Sequence, residues 1–219
     1  MKSTTESVRK ARPTGPRREE ILAAALKLFG EHGMHAVTTR QIAAAVGISQ
    51  PSLYAFFPNK QALEAEVCTR AFEELTARIT KGLGALKRGK SDICRLGRIY
   101  IDFGLANPDA YRLAFMIEKP DPAHAIGSGD DPILTAGLKA FYLLREAVGL
   151  TIGACLPPQE LELLAQSLWA SLHGLVSLML ARPNFPWRKQ NRLIEFHIAR
   201  VCAQAVSETL RGGTVNAKR

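Results

Sequence analysis

Cysteine is scarce in this chain, and no two cysteines lie close together in the sequence. Cys68, Cys94, Cys155 and Cys202 are scattered over 219 residues, and no Cys-x-x-Cys pair is present. Such spacing provides neither a disulfide framework nor the paired thiolates of a structural zinc site. We expect the four side chains to be reduced residues of the core, and a redox or electrophile sensor among them is the alternative.

The chain also lacks the residue patterns that catalysis and metal binding need. No nucleophile is paired with a base, and no glycine-rich loop of the phosphate-binding type occurs. Isolated groups such as Asp102 and Glu118 do not form a catalytic set. The histidines lack the spacing of metal ligands; they are His32, His35, His124, His173 and His197. We therefore predict no metal, no cofactor and no enzymatic activity.

No uninterrupted apolar run reaches the length of about eighteen residues that crosses a membrane. The longest candidate, residues 163–181, is interrupted by Gln166, Ser167, Ser171 and His173, which predicts a buried helix. The N-terminus is polar and basic, without the apolar segment of a signal peptide. These features favour a cytoplasmic protein with no membrane partner.

Positive charge is in excess, and it is denser towards the N-terminus. The chain has 29 Lys and Arg against 20 Asp and Glu, and residues 1–60 hold nine of those bases and four of the acids. Such a surface attracts phosphate and provides the salt-dependent part of DNA affinity. The first eighteen residues, Arg17 and Arg18 included, look disordered. We assign residues 1–16 as a basic arm, which either follows a DNA groove or is a frayed tail.

Residues 38–60 have the pattern of two short helices joined by a tight turn. Thr38 and Gln41 are spaced as a capping box, which starts the first helix at the next residue. Gly47 is able to adopt the left-handed conformation that ends this helix, and Ser49 is placed to cap the second one. This layout is that of a helix-turn-helix that reads DNA.

The second helix of the pair is predicted to be about two turns long and to present polar groups. Pro51 is tolerated in its first turn, whereas Pro58 prevents much continuation. Leu53 and Phe57 lie four residues apart and face inward, so the side chains that point outward are Gln50, Ser52, Tyr54 and Phe56. A Gln can pair bidentately with adenine, and a Ser hydroxyl can bond several bases.

Residues 17–33 predict a supporting helix in front of this pair. Its apolar face carries Ile21, Leu22, Ala25, Leu28 and Phe29, and Gly30 and Gly33 end it. With the helix-turn-helix, this segment resembles the TetR family of bacterial transcriptional regulators. The matching positions are Ile21, Ala24, Ala25, Leu28, Phe29, Gly33, Thr38, Thr39, Arg40, Ile42, Ala43, Gly47, Ile48, Ser49, Leu53, Tyr54, Phe57, Asn59, Lys60 and Leu63.

The resemblance implies a set of DNA contacts on the helix-turn-helix. They are Thr39, Arg40, Gln50, Pro51, Ser52, Tyr54 and Lys60. The alternative is a pair of ordinary surface helices, in which Tyr54 covers the core and Lys60 is solvated. Phe56 departs from the family, where His or Tyr is common at this position, because a phenyl ring cannot hydrogen-bond a phosphate.

The remainder of the chain has helical periodicity throughout. The first predicted helix of this part spans residues 59–79, and Gly82 and Gly84 weaken its end. The others span residues 91–106, 108–116, 132–153, 158–181 and 188–211. Residues 119–132 are predicted to form a loop. The predicted fold is all-α with about nine helices. It comprises a helix-turn-helix domain over residues 17–62, a larger helical domain over residues 63–211 and a disordered tail over residues 212–219.

The larger domain resembles TetR C-terminal domains that carry Trp and then His-Gly on the penultimate helix. The matching residues are Phe103, Asn107, Pro108, Tyr111, Arg112, Leu113, Phe115, Trp169, His173, Gly174 and Leu175. The resemblance implies a pocket for a mostly apolar small molecule. Its candidate lining residues are Tyr100, Phe103, Tyr111, Phe115, Phe141, Trp169 and His173, and the alternative for each is an ordinary place in the core. Gly174 would let another helix approach closely.

The same resemblance implies a homodimer through residues 158–211, because the last two helices of TetR-like proteins pair with their symmetry mates. The alternative for these apolar helices is intramolecular core. A two-fold dimer matches a palindromic operator. We expect a repressor that a ligand releases from double-stranded DNA; a constitutive DNA-binding or architectural protein is the alternative, and activation is left open.

Overall fold

The computed structural model describes residues 15–84, 90–116, 131–152 and 156–215. In these ranges the chain forms nine α-helices and no strand, which confirms the all-α prediction. The chain divides into two compact units, Met1–Val67 and Cys68–Arg219. The predicted N-terminal arm, the loop after residue 118 and the last four residues lie largely outside the described residues.

The first unit contains three helices and the beginning of a fourth. They are α1 (Pro16–His32), α2 (Thr39–Ala45), α3 (Gln50–Phe56) and α4 (Lys60–Leu83). Each helix turns one apolar face inward, and the core that results is formed by Ile21, Leu22, Ala25, Phe29, Met34, Val37, Ile42, Ala43, Leu53, Phe57, Leu63 and Val67. Helix α1 continues through the glycine at position 30, contrary to the expectation that this residue ends it.

Arg18 corrects the expectation that the disordered basic segment extends through residue 18. Helix α1 already begins at Pro16, and Arg18 is only 7% exposed. Its guanidinium carbon lies 4.5 Å from the centre of the Phe57 ring, and its terminal nitrogens pair with both carboxylate oxygens of Glu66. The ring and the carboxylate offset the cost of burying the charge, so this arginine belongs to the core of the first unit.

The start of α2 and the turn that joins α2 to α3 have the predicted hydrogen bonds. The backbone N–H of Gln41 donates to the Thr38 hydroxyl, and the Thr38 N–H donates to the Gln41 side chain, which confirms the capping box. Gly47 has a φ of 68°, a left-handed conformation that a residue with a side chain adopts only with strain. The Ser49 hydroxyl accepts from the Ser52 N–H and so caps α3.

The second unit contains the rest of α4 and five further helices. They are α5 (Lys90–Ala106), α6 (Pro108–Phe115), α7 (Pro132–Ile152), α8 (Pro158–Ala181) and α9 (Gln190–Val215). Helix α5 is central, because it packs against α6, α7, α8 and α9. Helix α9 continues to residue 215, so residues 212–215 are helical and not part of a disordered tail.

Helices α5 and α8 approach each other closely at Gly104. A Cβ atom on this glycine would lie 2.6 Å from Val176 Cγ1 and 2.8 Å from Tyr111 Cδ2. Among the described residues, no other helix makes the predicted close approach at Gly174, because a Cβ atom there would meet nothing within 4 Å.

Helix α8 is long and apolar enough to cross a membrane by length and composition, although only a third of its most apolar window is buried in the fold. Six of its side chains contribute to the core of the second unit, as predicted for a helix that packs inside a folded domain. They are Ala165, Leu168, Leu172, Leu175, Val176 and Met179.

Candidate functional sites

A ring of three hydrogen-bonded side chains joins α2 to α3. Gln50 Nε2 lies 2.9 Å from Thr39 Oγ1 and 3.3 Å from Tyr54 Oη, and the two hydroxyl oxygens are 3.2 Å apart. Thr39 is 7% exposed, whereas Tyr54 is 43% exposed. Hydrogen bonds from Thr39 and then Gln50 lower the pKa of Tyr54. The ring was not foreseen from the sequence, although residues 50 and 54 are one helical turn apart.

The predicted DNA contacts divide into an exposed group and an internally bonded group. Arg40, Pro51 and Ser52 are exposed on α2 and the first turn of α3. The Ser52 hydroxyl also lies 2.8 Å from that of Ser49. Thr39 differs from the rest of the predicted set, because its hydroxyl is buried in the ring and faces the protein.

Lys60 makes its contacts within the first unit. Its ammonium group donates to the Met34 carbonyl, lies 3.2 Å from Glu64 Oε1, and is 6.0 Å from the centre of the Phe29 ring. These partners fix the start of α4 against the loop after α1. A phosphate contact by Lys60 stays a prediction, since the amine would share its donors with these groups.

The second unit has an apolar cavity of about 640 Å³ among α4, α5, α6, α7 and α8, which is partly open to solvent. Apart from Phe141, the side chains of α4 and α7 that line it were missed by the sequence reasoning, because nothing in their spacing separates a cavity wall from a packed core. The lining residues are Phe72, Leu75, Ile79, Tyr100, Ala114, Phe115, Ile133, Leu134, Gly137, Leu138, Ala140, Phe141, Tyr142, Leu144, Glu162, Gln166, Trp169, Ala170 and His173.

Five of the seven predicted ligand residues line this cavity, and two do not. Phe103 is fully buried on α5, with the Arg78 guanidinium carbon 5.5 Å from its ring centre, so it packs elsewhere in the core. Tyr111 is also fully buried and does not line the cavity, but it contacts the lining side chains of Tyr100, Phe115 and His173.

A chain of hydrogen bonds extends from the cavity wall into the core. The Trp169 indole N–H donates to Tyr100 Oη at 3.1 Å, and the hydroxyls of Tyr100 and Tyr111 are 3.0 Å apart. The Tyr111 hydroxyl lies 2.6 Å from His173 Nδ1, and His173 Nε2 lies 3.1 Å from the Ser177 hydroxyl. Each side chain of this hydrogen-bond chain therefore has a partner inside the protein.

Burial fixes the protonation states along the chain. Burial lowers the pKa of His173, raises that of Tyr100 to about 12, and raises that of Tyr111 further, with the nearby Tyr100 hydroxyl adding to the rise. With the proton of the neutral His173 on Nε2, Nδ1 accepts from Tyr111 and Tyr111 accepts from Tyr100, which leaves Tyr100 with one unused lone pair at the cavity wall. With the proton on Nδ1 these directions reverse, and Tyr100 presents its O–H to the cavity instead.

Large apolar side chains are exposed on one face of α8 and on α9. Leu163 and Leu178 on α8 are more than half exposed, and Phe196 on α9 is 62% exposed. On α8 the two leucines share a helical face with small residues, which are Ser167, Ser171 and Gly174. In the described ranges, no three His, Cys, Asp or Glu side chains gather as metal ligands.

Two regions of the sequence match known protein families. Residues 21–67 match bacterial regulatory proteins of the tetR family, and residues 93–201 match the tetracyclin repressor-like C-terminal domain. The chain belongs to the TetR family. Its TetR assignment makes it a DNA-binding transcriptional regulator and confirms the resemblance to this family. The likeness to TetR C-terminal domains with Trp and then His-Gly stays a prediction.

The curated relatives of this TetR protein match about half of the chain. The nucleoid occlusion factor SlmA of Pasteurella multocida is 29% identical over 109 residues, which cover 48% of this chain and 55% of SlmA. The HTH-type transcriptional activator FasR of Mycolicibacterium smegmatis is 29% identical over 103 residues, covering 47% of each protein. The chain spans about half the length of these relatives.

Solved structures share the TetR fold over nearly the whole chain. The fatty acid degradation regulator FadR of Bacillus halodurans superposes with a TM-score of 0.70 at 17% identity, covering 89% of this chain and 97% of FadR. FadR of Bacillus subtilis in complex with stearoyl-CoA gives 0.69 at 13% identity, covering 86% and 97%. At these identities the likeness shows the fold alone.

Proposed function

We propose that this protein is a ligand-responsive repressor that binds a palindromic operator as a homodimer and is released by a mostly apolar small molecule. The observation that carries the proposal is the combination, in one TetR chain, of a capped helix-turn-helix with an apolar cavity in the second unit. As a DNA-binding regulator without an enzymatic role, it is expected to act in the cytoplasm.

Helix α3 is the proposed recognition helix, and the dimer sets the form of the operator. Its N-terminal residues would contact base edges, and a two-fold axis would place two such helices about 34 to 36 Å apart on one face of DNA. Selection of sites from a random duplex pool at a fixed salt concentration should therefore give a palindrome. Salt-sensitive binding without sequence preference would contradict this proposal.

Helices α8 and α9 are the proposed dimer interface, over residues 158–211. The exposed face of α8 brings Leu163 and Leu178 to both sides of the small residue Gly174, so a second copy of the helix could approach closely there. Phe196 extends the apolar surface onto α9. Single exposed leucines are normal on a protein surface, whereas a group of exposed apolar side chains on neighbouring helices is typical of a protein–protein interface.

The proposed effector is uncharged and mostly apolar, with a hydroxyl or N–H group. The cavity wall is aliphatic and aromatic, and its one acid, Glu162, is paired with Arg145 at 2.8 Å, so an ionic ligand finds no free counter-charge in the described lining. The Tyr100 hydroxyl would bond the polar group of the effector, through its unused lone pair if His173 is protonated on Nε2 and through its O–H if His173 is protonated on Nδ1. A ligand that fits better when the recognition helices are wrongly spaced would shift the dimer away from DNA, with α4 as the coupling element.

A panel of uncharged aromatic and aliphatic alcohols, titrated against the operator complex, tests the cavity. For any alcohol that releases DNA from the wild type, Ala140→Trp should raise the required concentration about tenfold or more, because Ala140 lines the cavity and the indole would occupy it. Lys139→Trp is the matched control, since Lys139 is exposed on the same helix, does not line the cavity and lies outside the proposed dimer interface. Equal responses in the two variants would show that the effector binds elsewhere.

The second candidate is a constitutive DNA-binding protein, and the similarity to SlmA of Pasteurella multocida favours it. It shares the helix-turn-helix and differs in needing no effector. Operator binding that no member of a broad panel changes, together with no rise in the melting temperature, would favour this reading. The similarity to the activator FasR of Mycolicibacterium smegmatis supports a further possibility, activation. Expression of a reporter gene fused to the regulated promoter, measured with and without this protein, would show whether the protein represses or activates transcription.

A further inference from the structure

Gln50 is held by its amide nitrogen, and its amide oxygen is left without a partner among the described residues. Nε2 lies within hydrogen-bond distance of both Thr39 Oγ1 and Tyr54 Oη, at 2.9 and 3.3 Å. The side chain reaches them from the first residue of α3, the position from which a recognition helix contacts bases.

The hydrogens in the ring suffice for this orientation. The two N–H groups of Gln50 donate to Thr39 and Tyr54, and the Thr39 hydroxyl donates to Tyr54 across 3.2 Å. Tyr54 Oη then accepts twice and keeps its own hydrogen for an outside acceptor such as phosphate. Every short contact carries a hydrogen, and the groups left over are one amide oxygen and one phenolic O–H.

The opposite orientation of the amide satisfies the ring less well. With the oxygen of Gln50 inside, three oxygen atoms would share three short contacts, and only the hydroxyls of Thr39 and Tyr54 could donate. One contact of about 3 Å between two oxygens would then lack a hydrogen and be repulsive. The geometry therefore favours the nitrogen inside and the oxygen outside.

We infer that Thr39 and Tyr54 act as positioning residues that make Gln50 read DNA through its carboxamide oxygen alone. In the major groove such an acceptor pairs with an exocyclic amino group, which adenine and cytosine carry, whereas guanine and thymine present a carbonyl oxygen at the corresponding place. The ring withholds the amide hydrogens that bidentate pairing with adenine needs. This inference rests on the proposed operator binding by α3.

Competition binding on four duplexes tests the inference. Operators are first selected with the wild type and with Gln50→Ala. The position at which the wild type prefers a base and the variant does not is the one that Gln50 reads. At that position the wild type should bind adenine and cytosine with affinities within about threefold of each other, and guanine and thymine about tenfold more weakly, as expected for one hydrogen bond gained or opposed. A preference for guanine or thymine would overturn the proposed orientation of the Gln50 amide. A preference for adenine alone would overturn the proposal that the ring withholds the amide hydrogens.

Variants of Thr39 separate positioning from folding. Thr39→Val keeps the shape of the side chain but removes one of the two acceptors that hold Nε2, so the N–H that is freed should pair with adenine together with the amide oxygen and raise the adenine-to-cytosine ratio about fivefold or more. Thr39→Ser restores the hydroxyl and should restore the wild-type ratio. A merely structural role would lower affinity for all four duplexes equally and leave the ratio unchanged, which contradicts the inference.

Failure of the inference is distinguishable from failure of the proposed function. If the wild type selects no palindrome, operator binding itself is wrong, and the role of Gln50 fails with it. If a palindrome is selected and its Gln50-dependent position prefers one base, or shows no dependence on Thr39, operator binding stands and the restraint on Gln50 is wrong.

Discussion

Arg18 shows how a single buried charge ties two helices of the first unit together. Arg18→Ala removes both the stacking on Phe57 and the pairing with Glu66, and should cost about 2 to 4 kcal/mol. Arg17→Ala is the matched control, because the Arg17 pair with Glu20 is about half exposed and should be worth less than about 1 kcal/mol. Hydrogen exchange of the α1 amides measures both changes. Equal effects would mean that the buried pair contributes no more than a surface pair.

His173 makes the stability of the second unit depend on pH. Burial lowers its folded pKa below the ordinary value of 6.5, so the unfolded chain takes up a proton first. Stability is retained above about pH 6.5 and is lost as the pH falls towards the folded pKa. His173→Gln keeps an acceptor for Tyr111 and a donor for Ser177 without titrating. Its melting temperature should therefore fall less than that of the wild type between about pH 7.5 and about pH 5.

At the scale of elements, the contact between α5 and α8 depends on Gly104. Gly104→Ala would drive a methyl group into Val176 and Tyr111 and should cost about 1 to 3 kcal/mol. Gly97→Ala is the control on the same helix, where the nearest atom lies at an ordinary 3.4 Å, and it should gain up to about 1 kcal/mol from helix propensity. Both tryptophans are in the second unit, so urea unfolding followed by their fluorescence reports the difference. Similar stabilities for the two variants would contradict the close approach.

Elements with local signals were predictable from the sequence, and contacts between elements were not. Thr38 with Gln41, Gly47 and Ser49 define α2, the turn and α3, because capping depends on residues that are neighbours in the chain. The pairing of Arg18 with Glu66 joins residues 48 positions apart, and no periodicity predicts it. Phe103 illustrates the same limit, because an aromatic at helical spacing reads alike whether it lines a cavity or fills the core.

At the scale of the whole molecule, association through α8 and α9 is the prediction with the widest effect. Leu178→Asp places a charge in the proposed interface and should convert the dimer to monomer at micromolar concentration, because an unpaired charge is costly to bury. Sedimentation velocity measures the change, and affinity for the full operator should fall towards that for a half-site. Leu134→Asp is the control, because Leu134 is similarly exposed on α7. Dissociation by both variants, or by neither, would remove α8 from the interface.

If the gene were duplicated, a substitution inside the ring of Thr39, Gln50 and Tyr54 would let the two copies recognise different operators. Thr39 is buried, so a duplicate that acquires valine there keeps the same exposed side chains on α2 and α3. The two copies would nevertheless discriminate adenine from cytosine differently, because one N–H of the Gln50 amide would be free in the valine copy. Divergence of this kind would separate their target genes before any DNA-facing residue is substituted.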